Sequence, residues 1–259
     1  MEIIAIANQK GGTAKTTTTA ALGLLMSRAG HRVHMIDMDP QGSLTHAFGQ
    51  ARADGALFDA LATGGALPSC TLERCLSLTP SNITLSRGET EFMAKPGREH
   101  CLSRSLTAMH LPGNCIVLID CPPSLGVLAV NCLTAAKRVL IVVQPGGFEL
   151  QALVHFEETV KLLREWVNPN LQIVGAVLTN CHARRKLTGQ VADEVARAYP
   201  LLGHVRADAQ LLYGTTAGTV LNLRQSKALA DYETIRINLE ERLTWPSIPS
   251  LESPAFSAD

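Results

Sequence analysis

The eight residues Lys10-Gly11-Gly12-Thr13-Ala14-Lys15-Thr16-Thr17 constrain this chain more than any other stretch. They follow an apolar run, Ile3-Ile4-Ala5-Ile6-Ala7, that reads as a fully buried strand. They lead into a segment that reads as a helix through Ala20, Leu22, Leu24, Leu25 and Met26. A strand, a glycine turn and a helix N-terminus together make an anion site. The loop N–H groups and the dipole charge of roughly +0.5 at the helix start both point at whatever sits there. Lys15 adds a full positive charge suited to β- and γ-phosphates, and the Thr16 hydroxyl is suited to Mg²⁺. The common pattern G-x-x-x-x-G-K-[ST] fails, because Gln9 and Ala14 stand at its glycine positions. The variant K-G-G-x-x-K-[ST] fits, and a plain strand-helix turn has no need of two lysines bracketing the glycines.

Two further segments complete the pattern. In His34-Met35-Ile36-Asp37-Met38-Asp39-Pro40-Gln41-Gly42 a short strand ends in carboxylates at i and i+2, on one face of extended chain, before a proline turn. Carboxylates at a strand end beside a phosphate loop stand where water or Mg²⁺ must be held. In Cys115-Ile116-Val117-Leu118-Ile119-Asp120-Cys121-Pro122-Pro123, apolar residues run into Asp120. That is a Walker-B-type strand, whose carboxylate serves Mg²⁺. Each string alone is weak, and the three in this order are strong.

With these motifs the chain resembles the ParA/MinD-type ATPases, the deviant-Walker-A positioning proteins, and most the ParA (Soj-like) branch. The residues that carry the likeness are Asn8 to Thr17, Asp37-Met38-Asp39-Pro40-Gln41-Gly42 and Asp120-Cys121-Pro122-Pro123. Weaker echoes are Val142-Val143-Gln144-Pro145, Val177-Leu178-Thr179-Asn180 and a final helix near 225–243. The resemblance implies an ATP-dependent homodimer that sandwiches two nucleotides with Mg²⁺. It implies that Lys10 reaches the partner subunit's phosphates, that Asp39 orients the attacking water, and that Thr16, Asp39 and Asp120 surround the metal. Residues Lys10 to Thr17, with Thr179 and Asn180 on the adenine side, are the expected nucleotide contacts. Lys10, Lys15 and Asp39 are the expected catalytic residues. The resemblance further implies non-specific DNA binding and slow hydrolysis stimulated by a ParB-like partner.

Two positions depart from the family pattern. Ala14 stands where the family has glycine, which is tolerable at negative φ and strained at positive φ. Gln210 stands where a DNA-contacting arginine is expected, leaving Arg206, Arg224 and Lys227 as the candidate DNA contacts. Arg184 and Arg185, after Thr179-Asn180, are further candidates for phosphate contact, ranked below these three; basic residues opening a helix oppose its dipole, which favours a functional reason for them.

Composition narrows the function classes. Lys+Arg and Asp+Glu balance at 23 each, so any DNA binding must come from a local patch rather than the overall field. Eleven aromatic residues are too few for base-stacking platforms. Seven cysteines, none in C-x-x-C, read as reduced thiols of a cytoplasmic protein rather than disulfides or a zinc site. The longest apolar runs are strand-length, and the C-terminus is proline-broken and acidic rather than a basic amphipathic helix, so no membrane partner is expected.

Strand-like stretches at 2–7, 32–37, 115–120, 138–143 and 171–178 alternate with helical ones near 15–29, 89–109, 125–136, 149–166, 187–198 and 225–243. That alternation predicts an α/β fold with a doubly wound, mainly parallel sheet and helices on both faces. Residues 1–243 read as a single ATPase domain and 244–259 as a disordered tail. Residues 49–82, with a short helix near 56–62, read as an insertion over the nucleotide. Three other readings compete: a positioning ATPase for a cargo other than DNA, an ATP-dependent biosynthetic ligase on the same fold, and a redox ATPase. The last needs two cluster cysteines in their own contexts, which the sequence does not show.

Overall fold

The computed structural model describes residues 1–50, 54–146, 149–181, 186–224 and 226–243. The tail expected at 244–259, and Arg184 and Arg185, lie outside the described residues. The strands are β1 (Glu2–Ala7), β2 (Arg32–Asp37), β3 (Cys70–Glu73), β4 (Leu76–Thr79), β5 (Cys115–Asp120), β6 (Arg138–Val143), β7 (Gln172–Cys181) and β8 (Leu201–Arg206). They form one sheet in the order β3-β4-β2-β5-β1-β6-β7-β8. Every pairing is parallel except the β3–β4 hairpin at one edge.

Alternate residues of the central strands feed two separate cores, which is why these strands read as continuous apolar runs. Ala5, Val117, Ile119 and Ile141 face one layer, packed by α3 (Ala56–Thr63), α5 (Cys101–Ala108), α6 (Val127–Ala135), α7 (Glu149–Trp166) and α8 (Lys186–Ala198). Ile4, Ile6, Leu118, Leu140 and Val142 face the other layer. There they meet α1 (Lys15–Arg28), α2 (Ser43–Ala47), α9 (Ala209–Thr216) and α10 (Lys227–Leu243). Helix α1 lacks a polar face because it is sandwiched: the sheet lies on one side and α10 on the other. A Cβ on Gly23 would meet the Met35 sulfur at 2.4 Å, and the Thr18 hydroxyl bonds the Tyr232 hydroxyl at 2.8 Å.

Two expectations need correction. Residues 70–79 do not cover the nucleotide site. They form the β3–β4 hairpin, which extends the sheet through β4 on β2. Buried His34 ties that pairing, its ring bonded to Ser77 Oγ (2.8 Å) and Thr79 Oγ1 (2.9 Å), and burial lowers its pKa to about 4. The helix expected at 89–109 is broken instead into α4 (Gly88–Glu91) and α5, with 3-10 turns between. Pro96 has no N–H and forces Lys95 into extended conformation (ψ 134°), while Gly97 turns at φ 63°.

Candidate functional site

The phosphate loop hangs between the end of β1 and the start of α1 and is pinned from both sides. Asn8 donates to the Val142 carbonyl at 2.6 Å and accepts the Lys10 N–H at 3.0 Å. The buried Thr179 hydroxyl donates to the Thr13 carbonyl at 2.9 Å. Strands β6 and β7 therefore set the loop's height above the sheet. Within it Gly12 has φ 75° and Ala14 has φ 67°, ψ 31°. Ala14 thus occupies the left-handed region, where a methyl group costs roughly 1–2 kcal/mol.

Lys15 begins α1 and is buried, its ammonium donating to the Lys10 carbonyl at 3.1 Å. Burial lowers its pKa, with the Asp120 charge opposing. Thr16 Oγ1 donates to Asp120 Oδ2 at 2.7 Å. Asp120 and Asp37 stand level on neighbouring strands, both without solvent exposure. Burial drives both carboxyl pKa values up, that of Asp37 to about 6 and that of Asp120 well above its ordinary range, with the Asp37 charge adding to the rise at Asp120.

Above them lies a cleft of about 550 Å³ lined by Gly11 to Thr17, Asp39, Gln41, Ser43, His46 and Pro123, with Leu212, Thr215 and Thr216 of α9 as its wall. The structure therefore brings Gly11, Gly12, Thr13, Ala14, Lys15, Thr16, Thr17 and Asp39 together in one cavity, with Asp120 beneath Thr16. Lys10 is exposed beside Gly11 and does not itself line the cavity. Asn180 is exposed at φ 51°, and neither it nor Thr179 lines this cavity. Asp37 and Asp39 part company. Asp37 is sealed in hydrogen bonds, whereas Asp39 is half-buried at the cleft, its Oδ1 accepting the Gln41 N–H at 2.9 Å.

Sequence reasoning missed Ser43, His46 and the α9 wall. Gln41 and Pro123 sat in the quoted motifs without a role. No local signal marks the α9 residues, because they reach the cleft only through the packing of α9 on α2.

The loop and its surroundings suit a nucleotide with a hard divalent cation. Lys15 spends its charge on a neutral carbonyl, and the buried Asp120 carboxylate lies against the Thr16 hydroxyl. Oxygen donors of that kind favour Mg²⁺. Among the described residues no group of three or more His, Cys, Asp or Glu is placed to hold a metal by itself.

The candidate DNA contacts lie around α9 and α10. Arg206 is gripped by Asp231: its Nε and Nη2 donate at 2.8 and 2.7 Å and its backbone N–H at 3.0 Å. Exposed Arg224 and Lys227 share a second cleft of about 700 Å³ with Gln210. Asp208 holds this region together, accepting the Gln210 and Leu211 N–H groups of α9 and the Ala228 N–H of α10. No helix among the described residues is long and apolar enough to cross a membrane.

Residues 1–173 match the family model described as an AAA domain. The chain is 39% identical over 204 residues to the sporulation initiation inhibitor protein Soj of Bacillus subtilis, covering 76% of this chain and 80% of that protein. It is 38% identical over 201 residues to the chromosome partitioning protein ParA of Caulobacter vibrioides, covering 75% of each. Among solved structures it resembles the cobyrinic acid a,c-diamide synthase of Mycobacterium smegmatis with bound ADP and magnesium. That match has a TM-score of 0.76 and 28% identity, covering 98% of this chain and 100% of that one. With the deviant phosphate loop seated over a parallel sheet and partition proteins among its relatives, the chain belongs to the ParA/MinD-type P-loop ATPases.

Proposed function

We propose that this ParA-like ATPase binds Mg²⁺–ATP in the cleft, dimerises on it, and in that state binds DNA non-specifically to partition or position it. The observation that carries the reading is the convergence of Lys15, Thr16 and Asp39 on one cavity lined by the glycine loop, with Asp120 bonded to Thr16 beneath it. Lys15 and the loop N–H groups bind the phosphates. Thr16 and Asp120 would hold Mg²⁺, with Asp39 close by, and the ion supplies charge neutralisation on the phosphates. Asp39 orients the attacking water, since its carboxylate is steadied by Gln41 N–H and faces the cavity. Thr179 supports the nucleotide indirectly, by holding the loop at Thr13.

Lys10 is exposed beside Gly11 and reaches across a two-fold interface to the partner's phosphates. Losing one member of such a buried interfacial charge pair costs about 2–5 kcal/mol, or roughly 30-fold to several-thousand-fold in dimer affinity. A ParB-like partner stimulates turnover, and the dimer gathers enough basic residues on one face to hold DNA despite zero net charge. Sedimentation of wild type, Lys10→Ala and Asp39→Ala with ATP tests this. Asp39→Ala is expected to stay dimeric and ATP-bound, and Lys10→Ala to stay monomeric while keeping ATP. A Lys10→Ala protein that dimerises like wild type contradicts the cross-subunit role.

A second reading rests on the likeness to the diamide synthase: an ATP-dependent ligase acting on a carboxylate. ATP turnover that requires an added carboxylate and an amide nitrogen donor, and is indifferent to DNA and partner protein, would favour it.

A further inference from the structure

Asp37 ends β2 with its carboxylate out of solvent, two residues before Asp39. Its Oδ2 accepts both the N–H (2.8 Å) and the hydroxyl (2.7 Å) of Thr45, and its Oδ1 accepts the Asp39 N–H (3.2 Å). The Thr45 hydroxyl oxygen in turn accepts the Ser81 N–H at 2.8 Å. Thr45 and Ser81 are both fully buried. One continuous hydrogen-bonded chain therefore runs from the Asp39 backbone through Asp37 and Thr45 to the segment after β4.

This chain settles where α2 sits. Helix α2 has five residues, and so short a helix has no independent stability. It is placed by Thr45 on one side and by His46 on the other, whose Nε2 donates to the Thr216 carbonyl at 2.8 Å. The turn carrying Asp39 spans only the residues between Asp37 and α2, so it is held at both ends by the Asp37–Thr45 bonds. Neither Asp37 nor Thr45 lines the cleft.

We propose that Asp37 and Thr45 are positioning residues for hydrolysis, which hold the Asp39 turn against the cleft without touching the nucleotide. This rests on the ATPase reading above. Charge-assisted bonds to a buried carboxylate are about twice as strong as neutral ones, which suits a part that must not drift. Valine in place of Thr45 keeps the shape while removing the hydroxyl, leaving the Ser81 N–H and one Asp37 bond unmade.

Steady-state ATPase kinetics, with affinity for a fluorescent ATP analogue measured in parallel, test the proposal on wild type, Thr45→Val and Thr45→Ser. Losing a bond to a charged group predicts a kcat about tenfold to a hundredfold lower in Thr45→Val, with KM and analogue affinity within about twofold of wild type. Thr45→Ser restores the hydroxyl and is expected within about threefold of the wild-type kcat. The proposal is overturned by a Thr45→Val enzyme with wild-type kcat. It is overturned equally by one whose nucleotide affinity falls in step with kcat, or by a Thr45→Ser as impaired as Thr45→Val.

If Thr45→Val does not fold, Asp37→Asn carries the test. Its amide offers one acceptor oxygen where two are used, so kcat is expected to fall with analogue affinity retained, and an unchanged kcat overturns the proposal. The wild type separates the two claims. Binding of ATP without any turnover contradicts the ATPase reading itself, whereas an active wild type matched by an equally active Thr45→Val contradicts only the positioning role.

Discussion

The cleft at the ends of β1, β2 and β5 and the basic surface around α9 and α10 are built on opposite terms. At and beneath the cleft, charges are buried and bonded to close neighbours: Lys15 to the Lys10 carbonyl, Asp120 to Thr16, Asp37 to Thr45, with Asp39 half-buried at the opening. On the basic surface, Arg206, Arg224 and Lys227 are exposed, and Arg206 is neutralised by Asp231. A buried charge loses its solvent and must be paired, so the residue types and their spacing are tightly dictated. An exposed charge keeps its solvent, and many arrangements serve equally well. Function that depends on burial leaves a motif in the sequence, and function that depends on exposure leaves only a composition.

The contrast can be broken first at Lys15. Lys15→Ala removes a buried cation whose role is to meet phosphate, and binding of an ATP analogue is expected to weaken about a hundredfold or more. Isothermal titration checks this, and unchanged affinity would mean that the loop is only a strand-helix turn.

On the exposed side the effects are smaller, and one of them has the opposite sign. Asp231→Asn releases Arg206 while leaving an oxygen for its backbone N–H. With ATP present, DNA affinity at low salt is expected to rise about threefold, and the log K versus log salt slope to steepen by about 0.9 for one added phosphate contact. Arg206→Ala alone is expected to change little. A large loss of DNA binding in Arg206→Ala would show that the Asp231 pairing opens freely and that the two regions differ less than their geometry implies.

The smallest effect falls inside the cleft, at Ala14. Ala14→Gly relieves the positive φ and also loosens the unfolded chain, for a net gain of about 1 kcal/mol and about 2–4 °C in Tm. Thermal unfolding of the nucleotide-free protein reads it, and a lower Tm in the glycine variant would contradict the strain at Ala14.

The same division explains what the sequence made legible. Five of the six strands of six or more residues, and the helices at 15–29, 125–136, 149–166 and 187–198, were visible because two-sided burial writes continuous apolar runs and long periodic segments; edge strand β8, only partly buried, was not read. Strands β3 and β4, four residues each, were not, since strands of that length carry too few side chains to show a period. The break in the helix expected over 89–109 was signalled by Pro96-Gly97, whose weight the surrounding periodicity concealed. At the cleft, Lys15, Thr16, Asp39 and Asp120 could be read from spacing because Lys15 and Thr16 open the helix after the glycine turn, Asp39 lies two residues past β2 and Asp120 ends β5. His46 and Thr216 could not, because they meet through a contact between α2 and α9 that are far apart in sequence. The left-handed backbone at Ala14 was left open by the sequence, since alanine itself does not report its φ. The capture of Arg206 by Asp231, 25 residues away on α10, was invisible for the same reason as the α9 wall.

The central claim is that the buried cleft governs the exposed basic surface. The most direct measurement is DNA binding by the wild-type protein, on unrelated duplexes at one fixed salt concentration, with ATP and Mg²⁺, with ADP and Mg²⁺, and with no nucleotide. The account predicts binding with ATP alone, equal on every duplex. Binding of the same strength in all three conditions, or none in any of them, would contradict it.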